Sequence, residues 1–179
     1  MSEETTEPEK PSRALITYQN INKVYGKVVL ITQDMESKIK KMKREEDKMP
    51  YLLSQKPVKT FSTDLPTEND YQTHSTEIKI DALPMGKYLL FTATSPDFSY
   101  QGNALAYQYF YVTNLSYISK KVAGDGYTQT VFVVDRRNGK PLEDVDYRVF
   151  TEKWDYNTQE YTQTELTRGK STQDGSFRY

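Results

Sequence analysis

Apolar residues along this chain come in short runs, separated by polar turns that carry Gly, Pro, Asn or Asp. Residues 76–83 (TEIKIDAL) alternate: Ile78, Ile80 and Ala82 fall on one face, Glu77, Lys79 and Asp81 on the other. Strict alternation predicts a half-buried antiparallel strand with one wet face. Residues 23–32 (KVYGKVVLIT) are apolar on both faces around 28–31, the pattern of a strand covered on both sides. Further strands are expected at 14–18 (ALITY), 57–65 and 87–94 (KYLLFTAT), the last of them central. A long tyrosine-rich strand is expected over 104–118 (ALAYQYFYVTNLSYI).

Residues 33–48 change the period. Met35, Ile39 and Met42 recur at helical spacing among Lys, Arg, Glu and Asp, which predicts a narrow amphipathic helix resting on a surface. Its basic cluster (Lys38, Lys40, Lys41, Lys43, Arg44) is followed at once by Glu45, Glu46 and Asp47, so it reads as a solvated helix face rather than a phosphate site. Beyond 126, strands are expected at 127–135 and 145–154, around an Asn138-Gly139 turn, then polar alternation over 160–168. Asn-Gly supplies the positive φ angles of a type I′ hairpin, and Asp174-Gly175 opens a further strand.

These elements predict an all-β chain: an antiparallel immunoglobulin- or fibronectin-like β-sandwich followed by a truncated second one. The expected boundaries are a flexible leader at 1–12, a first sandwich at 13–119 with a helical insert at 34–48, a linker at 120–126, and the N-terminal part of a second sandwich at 127–179. A sandwich of this kind takes about 100 residues, more than remain after 126. The unpaired strands are expected to seek a partner, possible edge-strand self-association included.

Composition narrows the function classes. The 179 residues carry 24 basic and 25 acidic side chains, a formal charge of −1 that offers nucleic acid no broad attraction. Cysteine is absent, so disulfide and thiolate chemistry are excluded. No apolar run approaches the ~18–20 residues that span a bilayer. The acidic N-terminus lacks the apolar core of a signal peptide. His74 stands as an exposed strand residue without a helix-spaced ligand partner. The acids of 143–146 alternate across a strand instead of converging on a glycine-turned calcium loop. No glycine–serine–glycine elbow or phosphate loop is present. Catalytic, cofactor and metal residues are therefore assigned to none. The binding candidates are aromatic: Tyr107, Tyr109 and Tyr111 on one strand face, and Trp154 beside a turn.

Three stretches together carry a family resemblance. They are residues 56–99 (KPVKTFSTDLP to KYLLFTATSPDFS, with the turn LPMGKY), ALAYQYFYVTNLSYI, and VFVVDRRNGKPLEDVDYRVF with STQDGSFRY. They resemble the macroglobulin-like domains of large bacterial α2-macroglobulin-type proteins, particularly those of Bacteroidetes. That resemblance implies a non-enzymatic scaffold module of a protease trap, periplasmic or in the cell envelope. Its partners would be neighbouring modules of a longer chain and, through that chain, proteases. The family's thioester needs a cysteine, which this chain lacks, so neither thioester nor bait region is assigned. A carbohydrate-binding or adhesin sandwich of the cell envelope is the alternative, and it requires an exposed platform at Tyr107, Tyr109 and Tyr111.

Overall fold

The computed structural model describes residues 4–42, 44–67, 70–99, 102–121, 128–156 and 160–179. The chain forms two compact units, Met1–Thr113 and Asn114–Tyr179, each mostly β and sandwich-like. The elements of the first unit are β1 (Glu4–Thr6), β2 (Ser12–Tyr18), β3 (Lys23–Leu30), α1 (Gln33–Lys41), α2 (Glu45–Leu53), β4 (Lys59–Asp64), β5 (His74–Ile80), β6 (Gly86–Ala93) and β7 (Leu105–Val112).

A five-stranded sheet in the order β1-β7-β6-β3-β4 forms the middle layer, and β2 pairs with β5 in a separate two-stranded sheet. The alternation read from the sequence explains the layering. On β3, Val28 and Val29 point to opposite faces and are both fully buried. Val28 joins Ile80, Leu83, Tyr88, Leu90, Phe110 and Val112 in a core against the two-stranded sheet. Val29 joins Leu89 and Phe91 beneath Met35 of α1 and Met49 and Leu52 of α2. The helices thus cover the face that a bare two-sheet sandwich would leave wet, and each fully buried Leu or Met side chain contributes about 1.5–3 kcal/mol. Gly26 sits opposite Phe61 in the β3–β4 register, and the Phe61 ring lies across its backbone. A Cβ at that position would come within 2.1 Å of the ring.

Helix α1 begins where Thr32 Oγ1 accepts the Met35 N–H at 3.3 Å, an N-cap that leaves Asp34 and Glu36 at the positive end of the helix. Two lysines rise from the sheet to hold the helices. Lys27 on β3 donates to the Leu53 carbonyl at the end of α2, and Lys87 on β6 pairs with Glu36 of α1 at 2.7 Å. Burial pulls the Lys27 ammonium below its ordinary range.

The second unit holds β8 (Leu115–Lys121), β9 (Gln129–Asp135), β10 (Asp146–Asp155), β11 (Glu160–Lys170) and β12 (Ser176–Arg178). Its sheets are a three-stranded β12-β9-β8 and a two-stranded ribbon of β10 and β11. Tyr147 at the base of the ribbon stacks on Phe177 of β12, with ring centroids 3.8 Å apart and planes 8° from parallel. Gly169, opposite Tyr147 in the register, leaves room for that ring. Ser171 is buried and ties the turn segments together. Its hydroxyl donates to the Leu142 carbonyl at 2.6 Å and accepts the Val145 N–H at 3.0 Å.

Several expectations are corrected. The residues expected as one strand over 104–118 form two, β7 and β8, because the pairing partner changes between them: β6 pairing stops at Val112, the Thr113 N–H still bonds the Thr6 carbonyl, and the Asn114 carbonyl accepts from the Arg136 N–H. The strand β8 then pairs with β9, so the division falls at Thr113/Asn114 rather than at 120–126. Most of that expected linker lies outside the described residues. Within the expected leader, Glu4–Thr6 pair parallel to Phe110–Val112, which also makes the middle sheet mixed rather than purely antiparallel. Residues 34–48 hold two helices in place of one, and the second runs on to Leu53 because Met49 and Leu52 reach the core.

The Asn138-Gly139 turn closes only a short antiparallel bridge, Val134 opposite Pro141, and does not pair β9 with β10. Strand β9 pairs with β8 and β12, while β10 pairs with β11. Only Gly139 has a positive φ, of 71°, in a wider loop closed by Gly139 N–H to Asp135 C=O at 2.8 Å. Asp135 and Asn138 side chains take the remaining loop N–H groups, so type I′ geometry is not required.

Candidate functional site

The tyrosine face of β7 forms as the alternation requires, on the side of the sheet that carries the helices. Tyr107 is 46% exposed and tilts against Phe91, and Tyr109 and Tyr111 are half-buried. The rings do not lie in one plane, since Tyr107 and Tyr109 meet edge to face at 89°. Between the tyrosines stands Lys87, its ammonium 5.4 Å from the Tyr109 ring centre and 5.3 Å from that of Tyr111. Burial alone would lower its proton affinity. The hydrogen bonds and charges of Glu36 and Tyr111 outweigh that effect and raise it, so the ammonium stays charged. Sequence reasoning passed over Lys87. Its only local signal is a lysine whose strand neighbours, Tyr88 to Phe91, are all buried.

Trp154 lies in the second unit, on β10, and meets Tyr161 of β11 edge-on at 4.8 Å. It is 37% exposed, on the ribbon face that also presents Arg148, Phe150 and Glu152 to solvent. The structure therefore places the four aromatic candidates in two separate groups. The tyrosines of β7 belong to the first unit and Trp154 to the second.

His74 is not the exposed strand residue expected. It is half-buried at the start of β5, its Nε2 2.8 Å from Asp70 Oδ1, and its ring 6.0 Å from that of Tyr18. Asp70 Oδ1 also accepts the Gln72 N–H at 2.9 Å. That backbone bond, then His74, holds the Asp70 carboxyl below its ordinary range. A cavity of about 480 Å³ opens beside this pair, lined in part by Tyr18, Asn20, Asn22, Asp70, Tyr71 and His74. The signal in the sequence was the D-x-x-x-H spacing across a loop, which acquires meaning only once the loop folds back. Among the described residues, no group of three or more His, Cys, Asp and Glu side chains converges as a metal cluster would require. None of the described helices is long and apolar enough to cross a membrane.

No family model matches the chain, and no curated protein does. Among solved structures, it is similar to native α2-macroglobulin from Escherichia coli in a crystal structure spanning domains NIE-MG1. The identity is 13% and the TM-score 0.55, and the match covers 99% of this chain and 83% of that one. The fold is macroglobulin-like. A likeness at this identity, to an Escherichia coli protein, carries the architecture and not the Bacteroidetes type. The macroglobulin-like assignment accounts for the sheet layers of the first unit, and it leaves the tyrosine face, the ribbon aromatics and the His74 cavity to be explained by their own chemistry.

Proposed function

We propose that this chain is a non-catalytic structural module of a bacterial α2-macroglobulin-like protein, serving as scaffold in a protease trap. The observation that carries this reading is the likeness to Escherichia coli α2-macroglobulin over 99% of the chain. The layered β architecture supports a load-carrying role, since the middle sheet is packed on both faces. Its proposed place is the periplasm or cell envelope, with neighbouring modules as partners and proteases engaged through the larger protein. Tyr107, Tyr109, Tyr111 and Trp154 are proposed as contact residues toward such neighbours. Their amphipathic rings pack on one side and stay wet on the other.

The test compares two substrates of one protease. A protease held in a trap loses access to a large protein such as casein and keeps its activity on a small chromogenic peptide. The protein carrying this module is expected to block casein cleavage selectively, while the 179-residue chain alone leaves both activities unchanged. Equal inhibition of both substrates, or of neither by the longer protein, would overturn the reading.

A further inference from the structure

We propose that the cavity beside His74 is a binding site for a neutral saccharide, with the Tyr71 ring as its stacking wall and Asn20, Asn22 and Asp70 as its hydroxyl partners. The cavity lies wholly in the first unit, and its volume of about 480 Å³ suits a ligand of one to a few sugar rings. The inference does not depend on the scaffold reading, because it rests on this cavity alone.

A sugar offers an apolar C–H face and an edge of hydroxyls, each both donor and acceptor. Recognition therefore needs a flat ring together with planar polar groups that combine donors and acceptors. The cavity supplies both. Tyr71 is 78% exposed, far more than packing within its own fold requires. The side-chain amides of Asn20 and Asn22 make no hydrogen bond among the described residues, and neither does Asp70 Oδ2. The Tyr18 hydroxyl donates to the Pro66 carbonyl at 2.7 Å and keeps its acceptor capacity on the same wall.

The wall is held in place from behind. Asn20 and Tyr71 both adopt left-handed backbone, with φ of 53° and 57°. Asn tolerates that region, but a bulky aromatic seldom enters it and costs about 1–2 kcal/mol there. The Gln19 side chain donates to the Tyr71 carbonyl, which joins the two strained segments across the cavity mouth. Asp70 is held through Oδ1 by the Gln72 N–H and His74 Nε2, while its Oδ2 has no partner among the described residues.

Charge selects among ligand classes. Among the described lining residues there is no Lys or Arg and one carboxylate, Asp70, a charge that disfavours phosphates and carboxylates. A cationic amine would use Asp70 alone and gain nothing from the two exposed asparagine amides. Hydroxyls satisfy all three.

Nuclear magnetic resonance of the 179-residue chain tests this with cellotriose, chitotriose and mannotriose at millimolar concentration. At least one should shift the backbone or side-chain resonances of Asn20, Asn22 and Tyr71. Tyr71→Ala should weaken that binding about tenfold, and Tyr71→Phe should keep it, since stacking needs the ring and not the hydroxyl. Unchanged circular dichroism of Tyr71→Ala would show that the loss is local. No shift with any of the three sugars overturns the proposal, as does equal binding by Tyr71→Ala. Shifts at the same residues with choline and not with the sugars would also overturn it, by assigning the cavity to a cation.

Discussion

The central strand of the first unit and the ribbon of the second spend their aromatic residues in opposite ways. In the first, Phe91 and Tyr88 of the central strand are buried, one under the helices and the other against the two-stranded sheet. In the second, the β10–β11 ribbon leaves Phe150, Trp154 and Tyr161 exposed, and only Tyr147 at its base stacks on another sheet. A ring enclosed by other elements stabilises its own unit. A ring standing in water adds little to folding and is available to something else. That difference separates residues that hold the fold from residues that can meet a partner, and alternation alone cannot make the separation.

The largest expected effect tests this contrast directly. Phe91 is 0% exposed, so Phe91→Ala leaves a cavity that its neighbours close only in part. It should cost about 3–5 kcal/mol in a denaturant titration followed by circular dichroism. Trp154→Ala removes a larger ring from the ribbon and should change stability by less than about 1 kcal/mol. Equal costs for the two would erase the distinction between filled and bare faces.

A smaller effect sharpens what holds the first unit together. Gly26→Ala places a methyl group 2.1 Å from the Phe61 ring, so the ring must leave its position over the β3 backbone. The expected cost is about 1–3 kcal/mol. Because the clash is with a side chain, Phe61→Leu in the same chain should recover part of it. A double variant no more stable than Gly26→Ala would place the conflict in the backbone instead.

How far the sequence conveyed this architecture depends on which force made each element. Strands β3, β5 and β6 were legible because their partners are apolar layers, and burial on one or both faces writes a period into the chain. Strand β1 was not, since Glu4–Thr6 contribute no apolar signal and are held by backbone hydrogen bonds to β7. The break at Thr113 was hidden for the converse reason: apolar and aromatic residues stand close on both sides of Thr113-Asn114, and the change is one of pairing partner. The second helix was obscured by the charges at its start, with Met49 and Leu52 buried in the core and Tyr51 and Leu53 packed partly against it. At the candidate site, the tyrosine alternation on β7 was readable, but Lys87 between the rings and the Asp70–His74 pair depend on contacts across elements. Asn20 and Asp70 meet around one cavity only after β2 and β5 pair.

The smallest expected effect concerns turns, where the two units are alike. Asp174 accepts from the Thr172 hydroxyl at 2.6 Å and the Ser176 N–H at 3.1 Å. The Thr172 and Ser176 hydroxyls, then the Ser176 backbone, hold its carboxyl down to about 2. Asp70 and Asp97 in the first unit are lowered in the same direction, chiefly by the backbone N–H groups of Gln72 and Ser99. A carboxylate depressed in the folded state contributes stability above its ordinary value of 3.8 and loses it as the pH falls toward the folded value of about 2. Asp174→Asn should therefore be less stable than the parent chain near neutrality, and its stability should fall less steeply between pH 4 and 2. Parallel acid profiles for the two chains would mean that the Thr172–Ser176 turn does not select the ionised carboxylate. Flattening in Asp174→Asn together with an unchanged profile in Asp97→Asn would locate the acid sensitivity in the second unit, whose strands have the smaller core to fall back on.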